Sequence, residues 1–114
     1  KETWKAFERL YEEGSVRAIG VSNFQIHHLE DLLKDSNIVP VINQVELHPR
    51  LTQQELHQYC REHQIQLESW SPLMKGKLTE QPDIVEIAAK YGKTTSQVIL
   101  RWHLDRGECR FVRF

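Results

Sequence analysis

Several groups of polar side chains in this 114-residue chain could do chemistry. Ser22 and Asn23 follow the apolar run Ala18, Ile19, Val21. A second apolar run, Val41-Ile-Asn-Gln-Val-Glu-Leu-His-Pro49, carries Asn43, Gln44, Glu46 and His48. A third, Leu67-Glu-Ser-Trp-Ser-Pro-Leu73, closes on Trp70, Ser71 and Pro72. Hydroxyl and carboxamide groups donate and accept hydrogen bonds without charge. By spacing alone, Ser22, Asn23 and Gln44 would therefore terminate strands and cap the helices that follow. Glu46 and His48 lie two apart, share one face of a continuing strand and invite an acid–base pairing. His57, Cys60 and His63 recur every third residue, so on a helix they spread over roughly 120° and fit tetrahedral zinc poorly. His27 and His28 read as a solvated face at a helix start. No Gly-x-Gly-x-x-Gly and no Walker motif is present, which leaves a Rossmann or P-loop nucleotide site without support.

The elements that must position these groups are visible as a change of period. Trp4, Phe7, Leu10 and Tyr11 give helical spacing over 3–13, with Thr3 as N-cap and Gly14 placed to end the helix. A strand follows over 17–21, where Gly20 lets another backbone or a ligand approach closely. Ile26, Leu29, Leu32 and Leu33 mark a helix that stops near Ser36-Asn37. A strand is expected over 41–45. Thr52-Gln-Gln-Glu55 reads as a capping box opening a helix to about His63, and a third strand is expected over 65–69. Beyond Pro72, Lys75 to Gln81 reads as a polar loop with Gly76 as hinge. Two helices follow, over 83–91 and 96–104, separated by Gly92, and Thr94-Thr-Ser-Gln97 is a second capping-box candidate. Trp4 and Trp102 lie on helical stripes and read as core or interface residues.

Strand starts at 18, 41 and 65 recur every 23 or 24 residues. Units of that length, with strands rich in Ile, Val and Leu, predict parallel strands joined by right-handed helical crossovers. Hydrophobic residues at 39% and charged residues at 27% exclude a disordered chain. No apolar run approaches the ~18 residues of a membrane span. A net charge of −1 with interspersed signs offers no basic stripe for nucleic acid. Cys60 and Cys109 show neither a disulfide framework nor metal spacing, which suits a reducing compartment, and a cytoplasmic setting is the expectation.

Gly-Val-Ser-Asn-Phe24, Asn-Gln-Val-Glu-Leu-His-Pro49 and Trp-Ser-Pro-Leu73, in that order and spacing, closely resemble the aldo-keto reductases. The resemblance runs from about Thr3 to Gly107. It implies NADPH-dependent reduction of aldehydes or ketones to alcohols in a (β/α)8 barrel. It implies that Ser22, Asn23 and Gln44 hold the nicotinamide carboxamide, that Trp70 stacks on the nicotinamide, and that Ser71 and Leu73 contact the pyrophosphate, with Lys75 adding charge there. In this family an Asp, Tyr, Lys and His set does the chemistry, with Tyr as proton donor, and those residues would precede Lys1. Tyr11, Tyr59 and Tyr91 all fall on expected helices, so no catalytic residue is assigned here. Glu46 and His48 then read as hydrogen-bonded fixtures of the loop around Pro49, and no metal is implied.

A closed (β/α)8 barrel takes ~250 residues, so the expectation is α/β: one partial TIM-barrel domain over 1–114, incomplete at both ends. About three clear βα units plus flanking helices are present, corresponding to the fifth to seventh. The family would place its eighth strand, ending in Ile-Pro-Lys-Ser, over Gly107-Glu-Cys-Arg-Phe-Val-Arg-Phe114. This tail alternates and could form a strand, but the motif is missing, as a truncation or frameshift near Gly107 would produce. The whole parent would act on a small carbonyl substrate, while this chain alone would have no reductase activity. Its open sheet edges would favour self-association. The alternative is a non-catalytic half-barrel that binds NADPH or a protein partner. A third possibility keeps the fold and changes the task, as in the potassium-channel β-subunits that resemble this family, but nothing around Trp70 supports it specifically.

Overall fold

The computed structural model describes residues 1–70, 72–107 and 109–111. Helices and strands alternate through most of the chain: α1 (Glu2–Glu12), β1 (Val21–Ser22), α2 (Ile26–Asp35), β2 (Ile42–Glu46), α3 (Gln54–Glu62) and β3 (Gln66–Trp70). A 3-10 segment (Met74–Glu80) leads into α4 (Pro82–Tyr91), α5 (Thr95–Asp105) and β4 (Cys109–Phe111). The chain divides into two compact units, Lys1–Val45 with Gln54–Leu67 and Glu46–Gln53 with Glu68–Phe114.

In the first unit β1 and β2 pair in parallel, with Val21 opposite Asn43 and Ser22 opposite Gln44. The Gln66 N–H donates to the Val41 carbonyl at 2.8 Å and brings β3 to the other side of β2. Regular pairing of β1 covers two residues, fewer than the 17–21 run suggested. Ahead of it the Val41 N–H donates to the Ile19 carbonyl at 2.9 Å, so the apolar run still lies along β2 without a repeating ladder. Gly20 explains how closely it lies: a β-carbon there would sit 2.8 Å from the Ile42 carbonyl oxygen. α1 and α2 cover this sheet with Trp4 and Leu32, which form a core with Ile19, and Val21, Phe24 and Ile38 pack against it. The Trp4 indole N–H donates to the Ile38 carbonyl (3.2 Å), as a buried indole requires.

In the second unit β4 runs parallel to β3, with Glu68 opposite Cys109 and Trp70 opposite Phe111. Within the tail after Gly107, Cys109–Phe111 therefore do form a strand. Residues 74–80 are a 3-10 segment and not the open polar loop that their composition suggested, because Leu78 is drawn inside. Leu78, Ile84 and Ile99 form this unit's core, with Leu73 and Val98 packed against them.

Helix ends follow their capping chemistry more closely than their periodicity. Gly92 ends α4 at φ 62°, and Thr94 caps α5, its hydroxyl accepting from the Gln97 N–H while the Gln97 side chain accepts from the Thr94 N–H. Thr3 lies inside α1, whose N-cap position is Lys1. The Thr52–Glu55 box does not form. Gln53 adopts φ 49° and sends its side chain back to the Glu46 carbonyl (3.1 Å), so α3 starts at Gln54 and Thr52 stands one residue too early to cap it.

Candidate functional site

The first unit gathers Ser22 and Asn23 at the carboxyl end of β1 and Gln44 beside them, midway along the adjacent parallel strand β2. Ser22 is paired in register with Gln44, and the Asn23 N–H donates to the Gln44 carbonyl at 2.7 Å. Ser22 and Asn23 are exposed and Gln44 is half-buried, so the cluster faces accessible space. Asn23 holds φ 59°, a left-handed conformation that costs most non-glycine residues about 1–3 kcal/mol. Asparagine tolerates it better than bulkier residues.

Neither Ser22 nor Asn23 caps the helix that follows. Gln25 is the N-cap of α2, and His28 closes the turn by accepting the Gln25 N–H on Nδ1 at 3.0 Å. The capping role that spacing alone suggested is thus taken by residues nearer the helix.

Asn43 lies on the same strand as Gln44, and the pleat sends it the opposite way. Along β2, Asn43 and Val45 are buried while Ile42, Gln44 and Glu46 are half-buried. The fully buried Asn43 carboxamide donates from Nδ2 to the Phe24 carbonyl (2.8 Å), and its Oδ1 accepts the Phe24 N–H (3.4 Å). Its side chain also hydrogen-bonds the Cys60 thiol of α3. Sequence reading noted Asn43 without giving it a task. The available signal was a carboxamide at the inward register of an otherwise apolar strand.

In the second unit Trp70 ends β3 on its half-buried face, and Leu73 is half-buried against the Leu78–Ile84–Ile99 core. Ser69, fully buried on the opposite face, donates its hydroxyl to the Leu47 carbonyl at 2.5 Å and fixes the end of the strand. The fully buried His103 of α5 places its Nε2 3.5 Å from the Pro72 carbonyl. Ser71 lies outside the described residues. Lys75 falls within the 3-10 segment, and its side chain is not described.

Glu46 and His48 do approach each other, with His48 Nε2 and Glu46 Oε1 3.2 Å apart. The Arg50 N–H donates to His48 Nδ1 (3.2 Å), which leaves Nε2 to carry the proton and donate it to Glu46. The His48 and Leu51 backbones exchange two further bonds of 3.1 and 2.8 Å across Pro49. Every partner of this pair belongs to the turn, so the two side chains act as loop fixtures.

Among the described residues no three His, Cys, Asp or Glu side chains are grouped to hold a metal ion. His63 stacks on Tyr59 (ring centroids 4.1 Å apart), and Cys60 is wholly buried, its thiol pushed above its ordinary pKa by burial against a smaller lowering from Asn43. Tyr11, Tyr59 and Tyr91 lie on α1, α3 and α4.

Residues 1–112 match the model of the Aldo/keto reductase family. The chain is 60% identical over 107 residues to the glyoxal reductase of Bacillus subtilis (strain 168), covering 94% of this chain and 39% of that protein. It is 50% identical over 108 residues to the methylglyoxal reductase DkgA of Escherichia coli (strain K12), covering 93% and 39% respectively. Among solved structures it superposes on the apo form of Gox0644 with a TM-score of 0.95 at 43% identity, covering 99% of this chain and 42% of that one. A Gox0644 variant solved in complex with NADPH superposes equally, with a TM-score of 0.95 at 43% identity and the same coverage. The chain thus spans about two fifths of the length of these relatives, as a partial α/β barrel would. It belongs to the aldo/keto reductase family.

Proposed function

We propose that this chain forms the nicotinamide-binding part of an NADPH-dependent reductase that, when whole, converts small aldehydes and ketones to alcohols. The observation that carries the reading is the Ser22–Asn23–Gln44 cluster, three neutral polar residues gathered where β1 ends against its parallel neighbour β2. Ligands of parallel α/β sheets collect at that end. A nicotinamide carboxamide presents one acceptor and two donors, and a hydroxyl with two carboxamides complements it without placing a charge beside the ring. NADPH, when bound, supplies the hydride.

In this reading Ser22, Asn23 and Gln44 orient the carboxamide and so choose the ring face. Trp70 offers an aromatic surface for stacking, and Ser71 and Leu73 contribute to pyrophosphate binding. The names of the glyoxal and methylglyoxal reductases support small dicarbonyls as substrates of the whole protein. A cytoplasmic setting, where NADPH is kept reduced, accords with this activity. The chain's own tyrosines sit on helices, so it contributes binding and orientation and no proton donor. The outer edge of β1 is the place where a second copy would add.

The test is a titration of the chain with NADPH, followed by nicotinamide fluorescence and repeated with Ser22→Ala and Gln44→Ala. Weak saturable binding is expected, loosened about threefold to tenfold by each substitution, the worth of one neutral hydrogen bond. No NADPH should be consumed when methylglyoxal is added. Absence of saturable binding, or turnover by the chain alone, would overturn the proposal.

A further inference from the structure

Two peptide planes flank the α-carbon of Asn23, and residues of β2 hold both. The plane before it is tied by the Asn23 N–H, which donates to the Gln44 carbonyl at 2.7 Å. The plane after it is tied by the Phe24 N–H, which donates to Asn43 Oδ1 at 3.4 Å. Because a peptide unit is planar, fixing both neighbours fixes φ and ψ of the residue between them. Asn43 also donates to the Phe24 carbonyl at 2.8 Å, so its carboxamide meets Phe24 as a second backbone strand would, one donor beside one acceptor.

A left-handed residue persists only where its surroundings over-determine it. Asn43 is suited to that task because its side chain is short, completely buried and rooted in a paired strand. The Cys60 thiol hydrogen-bonds the same side chain from α3 and limits its freedom to turn. Rigid elements therefore take part in defining Asn23.

We infer that Asn43 is a positioning residue: it sets the backbone of Asn23 and thereby the directions in which Ser22 and Asn23 present their side chains. Its consequence for the cofactor rests on the function proposed above. Asn43 touches no ligand in this scheme and acts only through Phe24 and Asn23.

The experiment compares Asn43→Ala and Asn43→Asp in the full chain with Leu32→Ala, which loosens the core that Phe24 packs against but leaves the hydrogen-bonding partners of Asn23 and Phe24 in place. Aspartate keeps the shape and the acceptor and removes the donor. Two readouts are taken, the amide exchange of Phe24 with the carbon shifts of Asn23, and the affinity for NADPH. Asn43→Ala should speed Phe24 exchange, and both variants should move the Asn23 shifts out of the left-handed range. Both should weaken NADPH binding by about tenfold more than Leu32→Ala does. Retained Phe24 protection with unchanged Asn23 shifts would overturn the inference, as would altered shifts with unaltered affinity. If the unsubstituted chain binds no NADPH, the function fails by itself and the exchange readout alone decides the positioning. If neither variant folds, the Asn43 side-chain amide of the unsubstituted chain decides: slow exchange supports the clamp and fast exchange refutes it.

Discussion

Replacing Gly20 by alanine tests whether the approach of β1 to β2 depends on a missing side chain. The added β-carbon would lie 2.8 Å from the Ile42 carbonyl oxygen, 3.5 Å from its carbonyl carbon and 3.4 Å from its β-carbon. The first distance falls well inside van der Waals contact. The atom it meets is backbone in a paired strand, so no rotamer change relieves it, and the strands must part by about half an ångström. Overpacking of this kind costs about 1–3 kcal/mol. Gly20 does not use a left-handed conformation, so alanine also reduces the freedom of the unfolded chain and returns about 0.4–1 kcal/mol. The net expectation is a loss of about 1–2 kcal/mol.

Urea unfolding is the assay. With m near ~1.5 kcal/mol/M, such a loss lowers the midpoint by about 1 M at unchanged slope. Amide exchange locates the damage. The Val41 and Asn23 amides, which donate to Ile19 and Gln44 across the two strands, should lose protection. Gly14→Ala supplies the contrast, since Gly14 has φ 79° with nothing near its absent β-carbon. It should destabilise through local strain while leaving Val41 protected. A Gly20→Ala chain as stable as the original, with Val41 still protected, would refute the reasoning.

Other perturbations probe single interactions. Glu8 is buried, and its Oε2 accepts the Asn37 and Ile38 amides, both at 2.7 Å; Glu8→Ala should cost about 2–3 kcal/mol in a thermal melt and Glu8→Gln clearly less. A loss below ~0.5 kcal/mol for the alanine would count against this anchor. Thr94→Ala removes a formed capping box and should cost about 1 kcal/mol, whereas Thr52→Ala, which keeps the backbone carbonyl that accepts from Arg106, should be near neutral; equal effects on helicity and melting would reject the distinction. Burial raises the Cys60 thiol pKa above the ordinary value of 9.0. The folded chain then keeps its proton longer than the unfolded one, so this group's stabilisation is full below about pH 9 and is lost as pH rises through the folded value. Peptide-resolved iodoacetamide labelling at neutral pH should be slow at Cys60 and rapid in urea, and fast native labelling would contradict its burial.

Most of the architecture could be read from periodicity. Apolar runs bounded by polar residues located β2 and β3 to within a residue, and the helical stripes located α1, α2, α4 and α5. What failed shares a cause, namely backbone geometry set by contacts distant in sequence. Thr52 had the right side chain and the right spacing from Glu55, yet the left-handed turn at Gln53, held by Glu46, moved the helix start past it. The loop expected at 75–81 ignored one buried residue, Leu78, which winds the segment inward. Gly20 was legible as a close approach because only glycine fits there. Asn43 was not, because its partner is the backbone of Phe24, which any sequence would supply.

Among the described residues, the three non-glycine residues with positive φ separate structural strain from strain of another kind. Gln53 stands at the entrance to α3 and Gln64 just beyond its end, where the Ile65 N–H returns to the Cys60 carbonyl at 2.8 Å. Helix termini account for both. Asn23 has no such account. It lies two residues ahead of the α2 N-cap, a turn that Gln25 and His28 complete without it. A fold needing only to pass from β1 to α2 could place glycine at residue 23 and avoid the cost. Instead asparagine is held left-handed by two consecutive residues of β2, one through its backbone and one through a buried side chain. Such an arrangement has a use if the Asn23 carboxamide must point one way beside Ser22 and Gln44. Loss of cofactor affinity on freeing that turn would connect the left-handed conformation to the binding role.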